Sequence, residues 1–579
     1  MERFIQSLWP AVLVVCLATA TNAQSFRVQC PTSTITHPNA ANNNSEPAYT
    51  GPTMFTTNAK GYLTPTSNIN GAIKCQQVSG GDGYSTMADG TQTFMFSFGP
   101  LSGLADIANG KAGTQFPSVF NTVSPNALVP GDPATTDGAT SGAAPGIPSA
   151  FSYNGAVGLI PDADCIAGNA AAAGAGTPLP CPNLPPDGLD GHVDPRQIMD
   201  VGVMNGNIPA PLVAFDEDDE MFLTLTNVGM IMRPDLFEQH TIHFHGYPNA
   251  SAFYDGVPDA SVAINIGGSF TYYYLAPDAG TYFWHCHITP PEHLQMGMVG
   301  QLYVRPRQDR LPSGTNLYAG LQSQQGDVRT ACNTAADILC ANALPLGGSS
   351  TTGPTQGTDK LGSSQKYTYN DGDGSTAYDV EYPLQIHGFD PNFHFVGMTF
   401  NPEAFVDMKD KYFLLNGRSY PDTVTPGPQA TVSSDTRMHY SQPLPALINI
   451  PVGGKALLRI ADLSVSEYAT LASLGIPMKV VGWNAKLLRD QAGLNTEYYT
   501  NSITLGGGES LDVILDASDA GCGSTGCAAS LYPAGSVFYL YTPNLDHLSN
   551  DAENYGGLMT EVHICNGVSG GSTFGNTCN

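Results

Sequence analysis

The feature that most restricts this chain is a run of fourteen residues, His285 to Met298, that holds His285, Cys286, His287, His293 and Met298. These are side chains that a soft transition metal accepts as ligands. The segment Gly280-Thr-Tyr-Phe-Trp-His-Cys-His287 is aromatic and β-branched enough for a strand, along which side chains alternate faces. Cys286 then points to one face, and His285 and His287 together to the other. One strand would serve two metal positions.

A second cluster answers the first. Gln239-His-Thr-Ile-His-Phe-His-Gly246 puts His243 and His245 on one face and His240 on the other. Six histidines and one cysteine thus sort into two sets. His240, Cys286, His293 and Met298 make a mononuclear site, because imidazole with thiolate and a weak thioether is the ligand set of a blue-copper centre. His243, His245, His285 and His287 make an all-imidazole site, the second copper position. A structural thiol is the competing reading of Cys286.

Further short motifs stand in order around these residues: Met204-Asn-Gly-Asn-Ile-Pro-Ala-Pro211, His243-Phe-His-Gly246, Tyr254-Asp-Gly-Val-Pro258, Gly267-Gly-Ser-Phe-Thr-Tyr272 and Gly280-Thr-Tyr-Phe-Trp-His-Cys-His287. In these the chain resembles the multicopper oxidases of the cupredoxin superfamily. The resemblance implies stacked β-sandwich domains, copper, and one-electron oxidation of a substrate. The chain departs from the family pattern in three ways. Five residues, Ile288 to Glu292, separate His-Cys-His from the next ligand histidine, where the family has three. Cys286 stands where the family's first domain has a serine between the paired histidines. A trinuclear copper cluster uses eight histidines, and four are present as a matching set.

Residues 1–23 have one arginine, an apolar run and small residues before Gln24, the pattern of a secretory signal peptide. No later stretch has some twenty uninterrupted apolar residues, so the expectation is a secreted or periplasmic protein without a membrane span. Of twelve cysteines, Cys16 lies in the signal and eleven remain. Sequence-near couples are Cys30/Cys75, Cys165/Cys181, Cys332/Cys340, Cys522/Cys527 and Cys565/Cys578, which leaves Cys286 over. A net charge of −28, from 22 Lys+Arg against 50 Asp+Glu, repels nucleic acid and anionic lipid and attracts cations.

The expected fold is all-β, with two cupredoxin-like Greek-key β-sandwich domains and a long loop-rich N-terminal insertion. Residues 24–196 form that loop-rich part of the first domain; Phe94–Phe98 is a candidate strand and 138–176 is of low complexity. His37 and His192 read as solvated. Residues 197–308 form the copper-binding domain, with strands at 211–215, 221–228, 240–245, 269–275, 280–287 and 299–304. The acidic run Asp216-Glu-Asp-Asp-Glu220 reads as a solvated turn. Residues 309–379 form a linker, mildly helical at Arg329–Leu339. Residues 380–565 form a second domain that resembles the family's copper-free middle domain in Phe413–Pro421, Ile448–Arg459, Met478–Trp483 and Ile503–Ile514. Residues 566–579 form a tail.

The functional expectation is an exported copper oxidoreductase of multicopper oxidase type. It would take single electrons from a metal ion or small phenolic donor and pass them from Cys286 to His285 and His287, with dioxygen as acceptor if a complete cluster forms. The alternative is a non-enzymatic blue-copper electron-transfer or copper-binding protein. A homo-oligomer or partner subunit could complete the second site; within the chain, His387 and His394 are the nearest candidates by composition.

Overall fold

The computed structural model describes residues 33–39, 46–100, 207–230, 238–246, 252–266, 268–276, 278–327, 343–398, 404–432, 438–518, 531–570 and 576–579. The signal segment, the low-complexity stretch 138–176, His192, Arg329–Leu339 and the cysteines at 30, 165, 181, 332, 340, 522 and 527 lie outside these.

The aromatic and β-branched runs form strands as expected. After a hairpin of β1 (Met54–Thr57) and β2 (Leu63–Ser67) come β3 (Ile73–Thr86), β4 (Gln92–Pro100), β5 (Val213–Asp216) and β6 (Glu220–Gly229). They are followed by β7 (His243–Phe244), β8 (Ser269–Leu275), β9 (Gly280–His285) and β10 (Val299–Arg305). Two four-stranded sheets result, in the orders β4-β3-β6-β8 and β5-β10-β9-β7. Their inner faces enclose a core that includes Phe96, Phe98, Leu223, Leu225, Tyr272 and Trp284. The first sandwich therefore draws half of one sheet from the region expected to be loop-rich. Glycines at 80, 81 and 83 hide β3 from a reading of hydrophobic pattern, yet pairing with β4 and β6 stabilises it as a strand.

A second sandwich follows. Its seven-stranded sheet runs Tyr412–Leu415, Val380–Phe389, Lys455–Asp462, Ser510–Asp516, Met478–Trp483 and Lys486–Leu487, with Tyr498–Thr500 also paired to Met478–Trp483. The five-stranded sheet runs Ile448–Pro451, Met559–Cys565, Val537–Tyr541, Ala469–Leu474 and Ser502–Leu505. Cys565 and Cys578 are joined by a disulfide that ties the C-terminal hairpin to this sheet. Among the described residues no helix is long and apolar enough to cross a membrane.

Every residue of β9 is buried. Its even positions, Tyr282, Trp284 and then Cys286, enter the core of the first sandwich. Its odd positions face the second: Phe283 packs with Val299, Ala461 and Leu463, and Thr281 donates to Asp512 at 2.6 Å. The alternation of a strand thus becomes a division between an intradomain and an interdomain face.

Four expectations need correction here. Residues 240–245 do not form one strand: only His243–Phe244 pairs with β9, and His240 makes an isolated bridge to Ile264. The β9 ladder likewise ends at His285, although Cys286 N still donates to Met298 O at 3.0 Å. The acidic run 216–220 is buried throughout rather than solvated. Arg307 grips Asp218 with two hydrogen bonds of 2.8 Å, and its backbone N–H donates to Glu217 at 2.7 Å. Lys74 meets Asp219 and Glu46 at 2.6 Å each, so a lysine occupies the centre that these carboxylates could offer a cation. His37, expected in solvent, is fully buried and donates to Glu220 at 2.6 Å. These cations come from sequence-distant positions, and only folding brings them to the turn.

Candidate metal centre

The first cluster gathers around the Cys286 sulfur. His293 Nδ1 lies 3.2 Å and His240 Nδ1 4.0 Å from Sγ, and the three donor atoms lie within 4.8 Å of one another. Backbone geometry builds this arrangement. The His240 ring needs a gap in β3, and Gly80 provides it: a Cβ there would stand 2.5 Å from His240 Cδ2. The five-residue spacer coils into the helix Pro290–Gln295, whose N-cap Thr289 has φ 36° and which begins Pro-Pro. A helix rises only about 1.5 Å per residue, so the two extra residues are absorbed and His293 returns to the sulfur. Met298 closes the loop, donating from its N–H to His293 O at 2.8 Å and accepting from Cys286 N–H at 3.0 Å. Cys286, His240, His293 and Met298 are all fully buried.

The second cluster lies on the other face of the same strand. His243, His245 and His285 bring one nitrogen each within 4.8 Å of the others. His287 completes the set, its ring centroid 5.0 Å from that of His243 and 5.4 Å from that of His285. His243 Nδ1–H donates to Asp255 O at 2.6 Å and His285 Nδ1–H to Cys286 O at 2.7 Å. His245 makes a backbone hydrogen bond to Gly508 of the second sandwich. With Nδ1 so engaged, Nε2 turns inward, the arrangement that fixes the tautomer of a metal-binding imidazole.

Electrostatics test whether these residues fit a metal. Burial pushes His240 down to about 3; it also lowers His293 and, with the neighbouring imidazoles, His285. Burial with the charge of His243 puts His245 at about 4. All four are therefore neutral, with lone pairs available. His245 Nε2 and His285 Nε2 face each other at 3.0 Å, two acceptors that repel unless a cation lies between or beside them. Burial pushes the Cys286 thiol up to about 12, so its thiolate exists in this core only against positive charge. The Thr241 N–H at 3.4 Å is a weak donor to it. Both donor sets fit a soft or borderline cation.

The two clusters differ in access. His245, His285 and His287 of the four-histidine set line a cleft of about 590 Å³ whose far wall is Ser464–Tyr468 and Gly506–Glu509 of the second sandwich. That wall offers carboxylates, hydroxyls and backbone, but no imidazole. His387 and His394 do not join the set: they are buried against the carbonyls of Leu294 and Gln295. Sequence reasoning assigned no role to Asp255 or Gly508. The first lies in the quoted motif Tyr254–Pro258, whereas only the fold brings the second to His245.

A multicopper oxidase family profile matches residues 190–309. Laccase 1 of Metarhizium guizhouense is 29% identical over 135 residues, 23% of this chain and 20% of the relative. Laccase abr2 of Aspergillus fumigatus is 34% identical over 128 residues, 22% of this chain and 20% of the relative. The matched part thus spans about a fifth of the length of these relatives. Among solved structures, a blue copper oxidase from Nitrosomonas europaea aligns with a TM-score of 0.43 at 16% identity, covering 85% of this chain and 86% of that one. The profile match falls on the strands and loops that carry Cys286 and all six clustered histidines, so residues 190–309 are a segment of multicopper oxidase type.

Proposed function

We propose that this protein is a copper-dependent oxidoreductase that takes single electrons from a metal ion or a small phenolic donor. Copper is the family's cofactor. His240, Cys286 and His293, with Met298 as the weak fourth partner, would hold a mononuclear copper, and His243, His245, His285 and His287 a second copper site. Bound there, copper supplies reversible one-electron chemistry. One observation carries the reading. Cys286 has its sulfur in the closed cluster while its covalent neighbours His285 and His287 stand in the open one, and its carbonyl accepts from His285 at 2.7 Å. The chain thus joins the two sites by a few bonds. The surrounding core excludes water from the sulfur and fixes both imidazole sets. The disulfide Cys565–Cys578 favours an oxidising, exported setting.

Dioxygen is the acceptor in this reading when further ligands complete the four-histidine site from a second copy or a partner subunit. A second reading, a mononuclear electron-transfer protein, is favoured by the far wall of the cleft, which offers no imidazole. Copper per chain, measured with dioxygen uptake across a dilution series, separates them. Oligomer, second-site copper and oxidase turnover appearing together and vanishing together on dilution support the oxidase. A monomer with one copper per chain and no uptake leaves the electron-transfer protein.

A further inference from the structure

The helix that carries His293 is only six residues long, and just past its end Gly297 N–H donates to Leu294 O at 2.9 Å. The second sandwich adds side-chain partners at the helix's last two carbonyls. His387 Nε2 lies 3.0 Å from Leu294 O, and His394 Nε2 2.9 Å from Gln295 O. The Gln295 side chain is held as well, donating to Asp410 at 3.0 Å and accepting from Asp390 N–H at 3.1 Å. His394 Nδ1 is 2.5 Å from Phe94 O on β4, and two residues along, Phe96 stands edge-on to the His293 ring at 5.1 Å. A neutral imidazole has one N–H, so His394 stands between the two elements that confine His293 and donates to one of these carbonyls.

These contacts cost more than simple adhesion between domains would require. His387, His394 and Gln295 are essentially fully buried. Close by, the same interface is made of apolar Phe283, Val299, Ala461 and Leu463. Polar groups are placed where the ligand helix ends.

We propose that His387 and His394 are positioning residues through which the second sandwich, which gives no ligand, sets the geometry of the Cys286 centre. This rests on the mononuclear copper reading above. The partners of a ligand-bearing segment act on a metal by fixing the ligand's orientation, and their loss typically costs 10–100-fold in metal affinity.

The test uses the full chain loaded with copper(II), read by its thiolate-to-copper absorption band, its EPR hyperfine coupling and copper titration. In a folded His387→Ala/His394→Ala variant the band and the coupling should shift, and affinity at this site should fall about tenfold. The copper signal of the four-histidine site should not change, and glutamine at 394, which keeps a donor, should restore much of the spectrum. Unchanged band and coupling in the folded variant overturn the proposal. So does an equal change at both sites, or no recovery with His394→Gln, since either marks general loosening. If the double variant does not fold, Asp410→Ala, which removes the arm on Gln295, should give a smaller shift in the same direction; no shift overturns the proposal. A wild-type protein without any thiolate-to-copper band overturns the mononuclear reading and this proposal with it.

Discussion

The two clusters share a strand and little else. Around Cys286 the donors are mixed, wholly buried, and drawn from three separate stretches that close on one another. Around His285 the donors are uniform, half open to a cleft, and bounded on the far side by another sandwich that adds backbone and carboxylates. The difference follows from which face of β9 each occupies. An intradomain face is covered by residues of the same sandwich and can be finished within one domain. An interdomain face is finished only by what its neighbour supplies, here a Gly508 backbone contact to His245 and no imidazole.

Four changes would break or sharpen this contrast. The largest effect should come from Arg307→Ala, which removes the two-bond partner of buried Asp218 at the turn beside the start of β9. Breaking a buried ion pair from one side costs about 3–5 kcal/mol, so thermal unfolding should fall steeply and both copper signals should be lost in a single transition. The neighbouring pair adds a pH dependence. Burial alone would raise Glu220, but hydrogen bonds from His37, Thr34 and Tyr273 outweigh it and hold the carboxyl at about 2. Its contribution is complete above the ordinary value of 4.5 and is lost as pH falls toward 2. Burial also opposes charging of His37, and Glu220 more than compensates, so its pKa is raised above 6.5. That contribution is complete below 6.5 and is lost as pH rises through the raised value. Melting temperatures followed across pH, with Glu220→Gln as the flattened control, check both arms.

Next in size, Cys286→Ser should abolish the visible thiolate-to-copper band while circular dichroism keeps its β-signature and the four-histidine site keeps its copper. A retained band in this variant would remove the assignment. Smaller still is Gly508→Ala. Glycine there has φ +91°, and a Cβ would meet the His245 ring at 2.9 Å. Left-handed strain of about 1–2 kcal/mol adds to that clash, so copper at the open site should weaken and the Cys286 band should not move. Both signals changing alike would mean that the clusters are not separately supported. The smallest effect belongs to Met298→Leu: in the proposed mononuclear site Met298 would be the weak fourth partner, exchanged for a similar volume, so the band should persist and the reduction potential shift.

Much of the site was legible because strand parity is a local property. His285 and His287 against Cys286, and His243 and His245 against His240, separate by odd and even position before any contact is known. The all-β class followed from short aromatic and β-branched runs. Beyond that range local pattern fails. Phe94–Phe98 reads as a strand, but Ile73–Thr86 is rich in glycine and polar residues, and pairing with its hairpin partner and with Glu220–Gly229, more than a hundred residues away, stabilises it. The acidic turn reads as solvated because Arg307, Arg310, Lys74 and His37 are remote in sequence and become neighbours only on folding. His387 and His394 look like spare ligands in composition, yet their neighbours in space are backbone carbonyls of the ligand helix. The sequence alone determined which side chains share a face, since backbone geometry sets that period. The tertiary structure decided what covers each face, because burial and partners depend on contacts between segments that no local pattern encodes.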